Sequence, residues 1–231
     1  MQEKIKLSSG SYGLGDILLL TSVAKYLNEK IIIQLPTSKE RFSILFKNLC
    51  EVEITDNLNE NIYDVGLGHY ATRKLRYFFN DAADHLDNRP LTLYFDLESE
   101  QWVLDFLKNI KNPIIFTPHC SLLGSSERNI PKKTIENILS NLFKQGYTPI
   151  ICQNSKNMYT SIYENQLIDL DLNKYICLLR KVGNYIGCNT GDMHLAIAVG
   201  ALTTVFEPKE AKIFKRQEWS YNHPSIKYFI W

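Results

Sequence analysis

Asn184-Tyr185-Ile186-Gly187-Cys188-Asn189-Thr190-Gly191-Asp192-Met193-His194-Leu195-Ala196 is the stretch that decides how this chain folds. Tyr185 to Gly187 suits a short buried strand, and Thr190 to Val199 keeps helical spacing with small residues among its first turns. Cys188 to Gly191 makes the turn between them. Thr190 is a candidate N-cap, Gly191 bares backbone amides, and the helix dipole adds partial positive charge at that end. A strand, a tight turn and a helix in this order suit an anion, and a diphosphate in particular. His194 could add a donor there. A His packed on the sheet behind an ordinary capped helix is the plainer reading.

The same alternation extends outward from this stretch. Strands are expected at 114–117, 148–152, 167–170 and 202–206, and helices at 132–145, 156–163 and 174–182. Asn112-Pro113 is a break. Before it, strands are expected at 4–8, 31–35, 52–55 and 62–66, with helices over 16–28 and 38–49. Residues 70–111 are less regular, with a strand at 91–95 and a helix at 101–110. Strand and helix in this rhythm argue for an α/β fold with parallel sheets and right-handed crossovers, in two units joined near residue 112.

Composition excludes several classes. The chain has 231 residues, 45% hydrophobic and 22% charged, which is ordinary for a globular protein. A formal net charge of +1 gives no support to a broad surface for nucleic acid or anionic lipid. Cys50, Cys120, Cys152, Cys177 and Cys188 form no CxxC pair, so free thiols in a reducing compartment are expected rather than a zinc knuckle or disulfide framework. No apolar run is long enough to span a bilayer and the first residues lack a secretory pattern, so a cytoplasmic protein is expected.

A second glycine-rich turn, Ser8-Ser9-Gly10-Ser11-Tyr12-Gly13-Leu14-Gly15-Asp16, follows the first expected strand. It is neither G-x-G-x-x-G nor a Walker A loop. Asp16 at the helix start is a good N-cap, or a carboxylate facing a ligand at the strand's carboxyl edge. His69, in Gly66-Leu67-Gly68-His69, is either a cleft residue or a loop His. Arg73, Lys74 and Arg76 interleave with Tyr70, Tyr77, Phe78 and Phe79, which fits a solvated helix face or an anionic acceptor.

Gly13-Leu14-Gly15-Asp16, together with Asn189-Thr190-Gly191-Asp192-Met193-His194-Leu195-Ala196, resembles glycosyltransferase family 9, the heptosyltransferase family of GT-B fold. Phe116-Thr117-Pro118-His119-Cys120-Ser121 is similar to that family's strand and phosphate-contacting turn, and Arg128-Asn129-Ile130-Pro131 to its basic residue followed by Trp-Pro. The likeness covers about 113–208 and the first loop and helix.

The resemblance implies two Rossmann-like domains: a reduced acceptor-side domain (1–111) and a nucleotide-sugar domain (112–208), with 209–231 crossing back to the first. It implies an inverting, metal-free glycosyltransferase using a nucleotide-diphosphate sugar, expected to be ADP-linked, as co-substrate and no cofactor. Asp16 matches the general base. Ser121, Arg128, Asn189, Thr190, Gly191 and His194 match the diphosphate site, Gln153 the ribose and base site, and Gly15 and His69 fall on the acceptor side. The acceptor is expected to be a saccharide, with nucleic acid as a second class and peripheral membrane contact left open. The sequence departs from the family at Asn189 (usually Asp), Asp192 (commonly Pro), Gln153 (often an acid), Arg128 (often Lys) and in its shorter length. A transferase acting on modified DNA bases and a non-catalytic nucleotide or nucleotide-sugar binding protein are the alternatives.

Overall fold

The structure, a computed structural model, describes residues 5–8, 15, 18, 31–34, 47, 52–55, 93–119, 128–153, 166–209 and 225–231. Ile5–Ser8 (β1), Ile31–Gln34 (β2) and Val52–Thr55 (β3) form a parallel sheet in the order β1-β2-β3. Ile5 lies opposite Ile31, and Ile31 opposite Val52. Parallel neighbours need a crossover rather than a hairpin; between β1 and β2, Leu18 is helical as expected, and Gly15, expected in the turn, is helical too. The elements expected at 62–66 and 156–163, and nearly all of the helix at 38–49, lie outside the described residues.

Helix α1 (Leu97–Leu107) starts four residues before the expected position. Asp96 sets that start: its carboxylate accepts the Ser99 amide at 2.7 Å, which also lowers its pKa, as an N-cap does. The strand expected at 91–95 is not formed by residues 93–95, which are irregular. Leu93 instead buries its side chain in the core.

The remaining elements are β4 (Pro113–Thr117), α2 (Lys132–Lys144), β5 (Thr148–Gln153), β6 (Gln166–Ile168), α3 (Leu172–Val182), β7 (Asn184–Cys188), α4 (Gly191–Ala198), β8 (Leu202–Glu207) and β9 (Ile226–Ile230). All six strands pair in parallel, in the order β6-β5-β4-β7-β8-β9. Counted from β4 this is 3-2-1-4-5-6, the doubly wound Rossmann order. The end of the chain was expected to cross back to the first domain. Residues 226–230 form the edge of this second sheet, where Ile226 lies opposite Thr203 and Phe229 stacks on Phe206; residues 210–224, on which the expected crossing depends, lie outside the described residues.

Period-two alternation sorts the strand side chains onto the two faces. Ile115, Ile150, Cys152, Tyr185, Val205 and Ile226 pack on one side with residues of α1, α3 and α4. Ile114, Phe116, Ile151, Ile186 and Cys188 pack on the other with α2. With both faces covered, the central strands read as continuous apolar runs. Leu18 is fully buried in the first of these clusters, so the helical segment after β1 docks on the core of the six-stranded sheet. Among the described residues no helix is long and apolar enough to cross a membrane.

Candidate active site

In an open parallel sheet the carboxyl ends of the strands meet a crevice where the strand order reverses. Here that point lies between β4 and β7, with order running outward to β6 on one side and β9 on the other. Thr117 ends β4 and Cys188 ends β7. Gln153, at the end of β5, and Asn189 to Gly191, after β7, therefore share one edge of the sheet.

Gly183, in the left-handed conformation at φ 68°, ends α3 and turns the chain into β7, a backbone that glycine adopts without a Cβ penalty. Along β7, Tyr185 and Gly187 point to the same face. The Tyr185 hydroxyl reaches the hydroxyls of Thr117 and Thr190. A Cβ on Gly187 would overlap both Thr117 Oγ1 and the Tyr185 hydroxyl, so glycine leaves the space in which β4, β7 and the following loop are tied together. Burial raises the Tyr185 phenol well above its usual pKa, keeping it neutral.

Thr190 occupies the N-cap position of α4 but does not cap it. Its hydroxyl donates back to the Cys188 carbonyl at 3.4 Å and meets Tyr185, so the expectation that Thr190 caps is corrected: the hydroxyl points toward the sheet rather than over the first-turn amides. Gly191 opens the helix. His194 is buried at 8% exposure, and its amide closes the first turn on the Thr190 carbonyl at 3.3 Å.

Gly15 lies directly against His194. A Cβ built on Gly15 would fall on imidazole Cδ2 and lie 3.0 Å from Cγ and Nε2. The start of the first helix thus touches the start of α4. Asp16, Ser121 and His69 lie outside the described residues.

Arg128 and Asn189 also meet: Arg128 Nη1 donates to the Asn189 carbonyl at 3.3 Å. The Asn189 amide nitrogen donates to Glu207 Oε1 at 2.8 Å. Glu207, at the carboxyl end of β8, was missed from sequence. The signal was there, an acid closing the otherwise apolar and hydroxyl-bearing Leu202–Phe206 strand at a ligand edge. At the end of β5, Gln153 Nε2 donates to Gln166 Oε1 at 3.4 Å.

Asp192, in the first turn of α4, keeps some exposure, yet burial of its carboxyl raises its pKa to about 6. Its negative charge opposes ionisation of Cys152, Tyr175 and Tyr185. His119, two residues past β4, has its pKa lowered by burial, which favours the neutral ring.

No protein-family model matches the sequence, and no curated protein matches it. Solved structures match its fold. A glycosyltransferase family 9 structure from Veillonella parvula aligns with a TM-score of 0.65 at 9% identity, over 99% of this chain and 87% of that one. E. coli ADP-heptose LPS heptosyltransferase II gives 0.61 at 12%, over 98% and 90%. E. coli heptosyltransferase WaaC with ADP gives 0.57 at 9%, over 98% and 93%. This chain carries the α/β fold of the glycosyltransferase family 9 and heptosyltransferase structures.

Proposed function

We propose that this protein is a glycosyltransferase that moves a sugar from an ADP-linked donor to an acceptor hydroxyl, with inversion and without a metal ion or cofactor. The reading rests on one observation: Gly15, the residue before Asp16, packs on His194 in the first turns of the helix at the switch point of the six-stranded sheet. In this reading the β1–β3 sheet belongs to the acceptor domain, residues 1–111, and the six-stranded sheet to the donor domain. Solved structures of this fold hold ADP or an ADP-heptose, which supports the choice of donor.

The diphosphate would bind at the start of α4. Backbone amides of its first turn and the helix dipole offer fixed positive potential there, and the Thr190 side chain does not occupy those amides. His194 supplies a further donor. Arg128 contributes charge and, through the Asn189 carbonyl, holds the loop; Ser121 is assigned a hydroxyl contact to the same diphosphate. These groups stabilise the negative charge that develops as the sugar–phosphate bond breaks. Asp16, adjacent to Gly15, takes the proton of the acceptor hydroxyl as its oxygen bonds to the anomeric carbon opposite the departing ADP. Inversion follows from that geometry.

A thermal-shift series with ADP, UDP, GDP and ADP-D-β-D-heptose tests the donor site, because a ligand that binds the native state raises Tm with occupancy. ADP and its heptose conjugate should raise Tm, and His194→Ala should remove the shift. Silence of the wild type to every nucleotide, or a shift intact in His194→Ala, refutes the site. Release of ADP that depends on an acceptor and is lost in Asp16→Ala separates the enzyme from a binding protein.

A further inference from the structure

Asn189, between β7 and α4, is held from two sides. Its side-chain amide donates to Glu207 Oε1 at 2.8 Å, and its backbone carbonyl accepts from Arg128 Nη1 at 3.3 Å. Three segments far apart in sequence therefore meet at one residue: the stretch between β4 and α2, the turn before α4 and the carboxyl end of β8. All three residues are half-buried. The mechanism above makes no use of Glu207.

Glu207 is itself fixed at its backbone. Its carbonyl accepts the Trp231 amide at 3.0 Å, and the Trp231 carbonyl accepts the Lys209 amide at 2.9 Å. These bonds continue the β8–β9 ladder past Ile230, which lies opposite Glu207. A carboxylate on such an anchor makes a stronger hydrogen bond than a neutral acceptor would. Arg128 is the opposite case. A guanidinium carries five N–H donors and keeps its charge while one of them is bound to a carbonyl, but its long side chain loses rotamer freedom when an anion fixes it. Holding the side chain beforehand removes part of that loss from the binding step.

By charge alone Glu207 is badly placed, since a carboxylate at the edge that receives a diphosphate repels it. Its bond to Asn189 offsets that. Thr190, the next residue, sends its hydroxyl back to the Cys188 carbonyl instead of capping α4, so the Asn189–Glu207 bond ties the turn to β8 where a side-chain cap does not hold it. We propose that Glu207 is a positioning residue of the donor site: through Asn189 it holds Arg128 and the turn before α4 in the arrangement that receives the diphosphate. This rests on the donor reading above.

Calorimetric titration with ADP tests it, because charge and positioning predict opposite signs. Glu207→Ala removes a negative charge, which alone would tighten ADP. Loss of positioning should instead weaken ADP about tenfold, the equivalent of one hydrogen bond of about 1.4 kcal/mol. Glu207→Gln keeps an acceptor oxygen and drops the charge, so it should bind ADP at least as tightly as wild type. Asn189→Ala breaks the same bond from the other end and should reproduce the loss, which keeps the test decisive where Glu207→Ala does not fold. In an Arg128→Ala background, Glu207→Ala should cost less affinity than it does in wild type, because the group it positions is gone. ADP bound as tightly by Glu207→Ala or Asn189→Ala as by wild type overturns the assignment. So does a Glu207→Gln protein as weak as Glu207→Ala, or an undiminished loss without Arg128. Failure of wild type to bind ADP overturns the donor reading instead.

Discussion

Gly15 and His194 are in direct contact, and a Cβ on residue 15 would clash with the imidazole Cδ2. Gly15 is helical, a backbone that any residue adopts. The ring of His194, rather than chain conformation, is what requires glycine there.

That contact makes a double-mutant cycle informative. In a helix Ala is favoured over Gly by about 1 kcal/mol. Against the intact ring, Gly15→Ala should instead destabilise by roughly 1–3 kcal/mol, as overpacking does. In a His194→Ala background the same change should be neutral or stabilising. Urea unfolding of the four proteins measures the coupling, and additive effects would mean that the two loops do not touch.

Gly187 should tolerate no side chain. Gly187→Ala places a methyl on the Thr117 and Tyr185 hydroxyls and should cost about 1–3 kcal/mol. Tyr185→Phe leaves the buried Thr117 hydroxyl without this partner, for about 1 kcal/mol. Unfolding midpoints should rank wild type, Tyr185→Phe and Gly187→Ala in descending order; the reverse order for the two variants would contradict the packing.

Asn189 departs from the acid usual in the resembling family, and Glu207 supplies the reason. The Asn189 amide donates to the Glu207 carboxylate, so Asn189→Asp sets two carboxylates against each other and loses the donor. It should lower stability by roughly 1–2 kcal/mol at pH 8. Adding Glu207→Gln should restore most of it by supplying a new amide. Melting temperatures of the single and double variants check this, and a harmless Asn189→Asp would count against the pair.

Asp192 links stability to pH. Its folded pKa of about 6 lies above the ordinary aspartate value because burial penalises the charged form. The favourable difference is fully present below about pH 4, where the carboxyl is protonated in both states, and is lost as pH rises through about 6. Asp192→Asn removes the penalty. It should therefore raise stability by roughly 1–2 kcal/mol at pH 7.5, a figure reduced for partial exposure, with the gain vanishing near pH 4. Parallel melting curves across that range would place the carboxylate in water.

Most of the second sheet was legible in the sequence because its strands are continuous apolar runs with both faces buried, separated by helices with one apolar stripe. Those local periods located β4, β5, β7 and β8 and the helices α2, α3 and α4 to within a few residues. Two errors share a physical cause. Residues 93–95 have strand-like composition but form no ladder, and Leu93 buries without one. Residues 226–230 are aromatic and partly exposed, and only an available edge on β8 makes them a strand. Turn chemistry marked the Asn189 to His194 loop as a candidate anion site, since glycine, small residues and a helix start act locally.

What the sequence determined by itself is the set of elements and the chemistry each turn offers, because propensity, period and capping are properties of neighbouring residues. Tertiary structure alone decided that Gly15 lies on His194, that Asn189 answers to Glu207, and that the Asp192 carboxyl is buried. These are relations across the strand-order reversal of a doubly wound sheet, between residues far apart in the chain. Packing density and the burial of charge settle them, and neither is a property of any short segment.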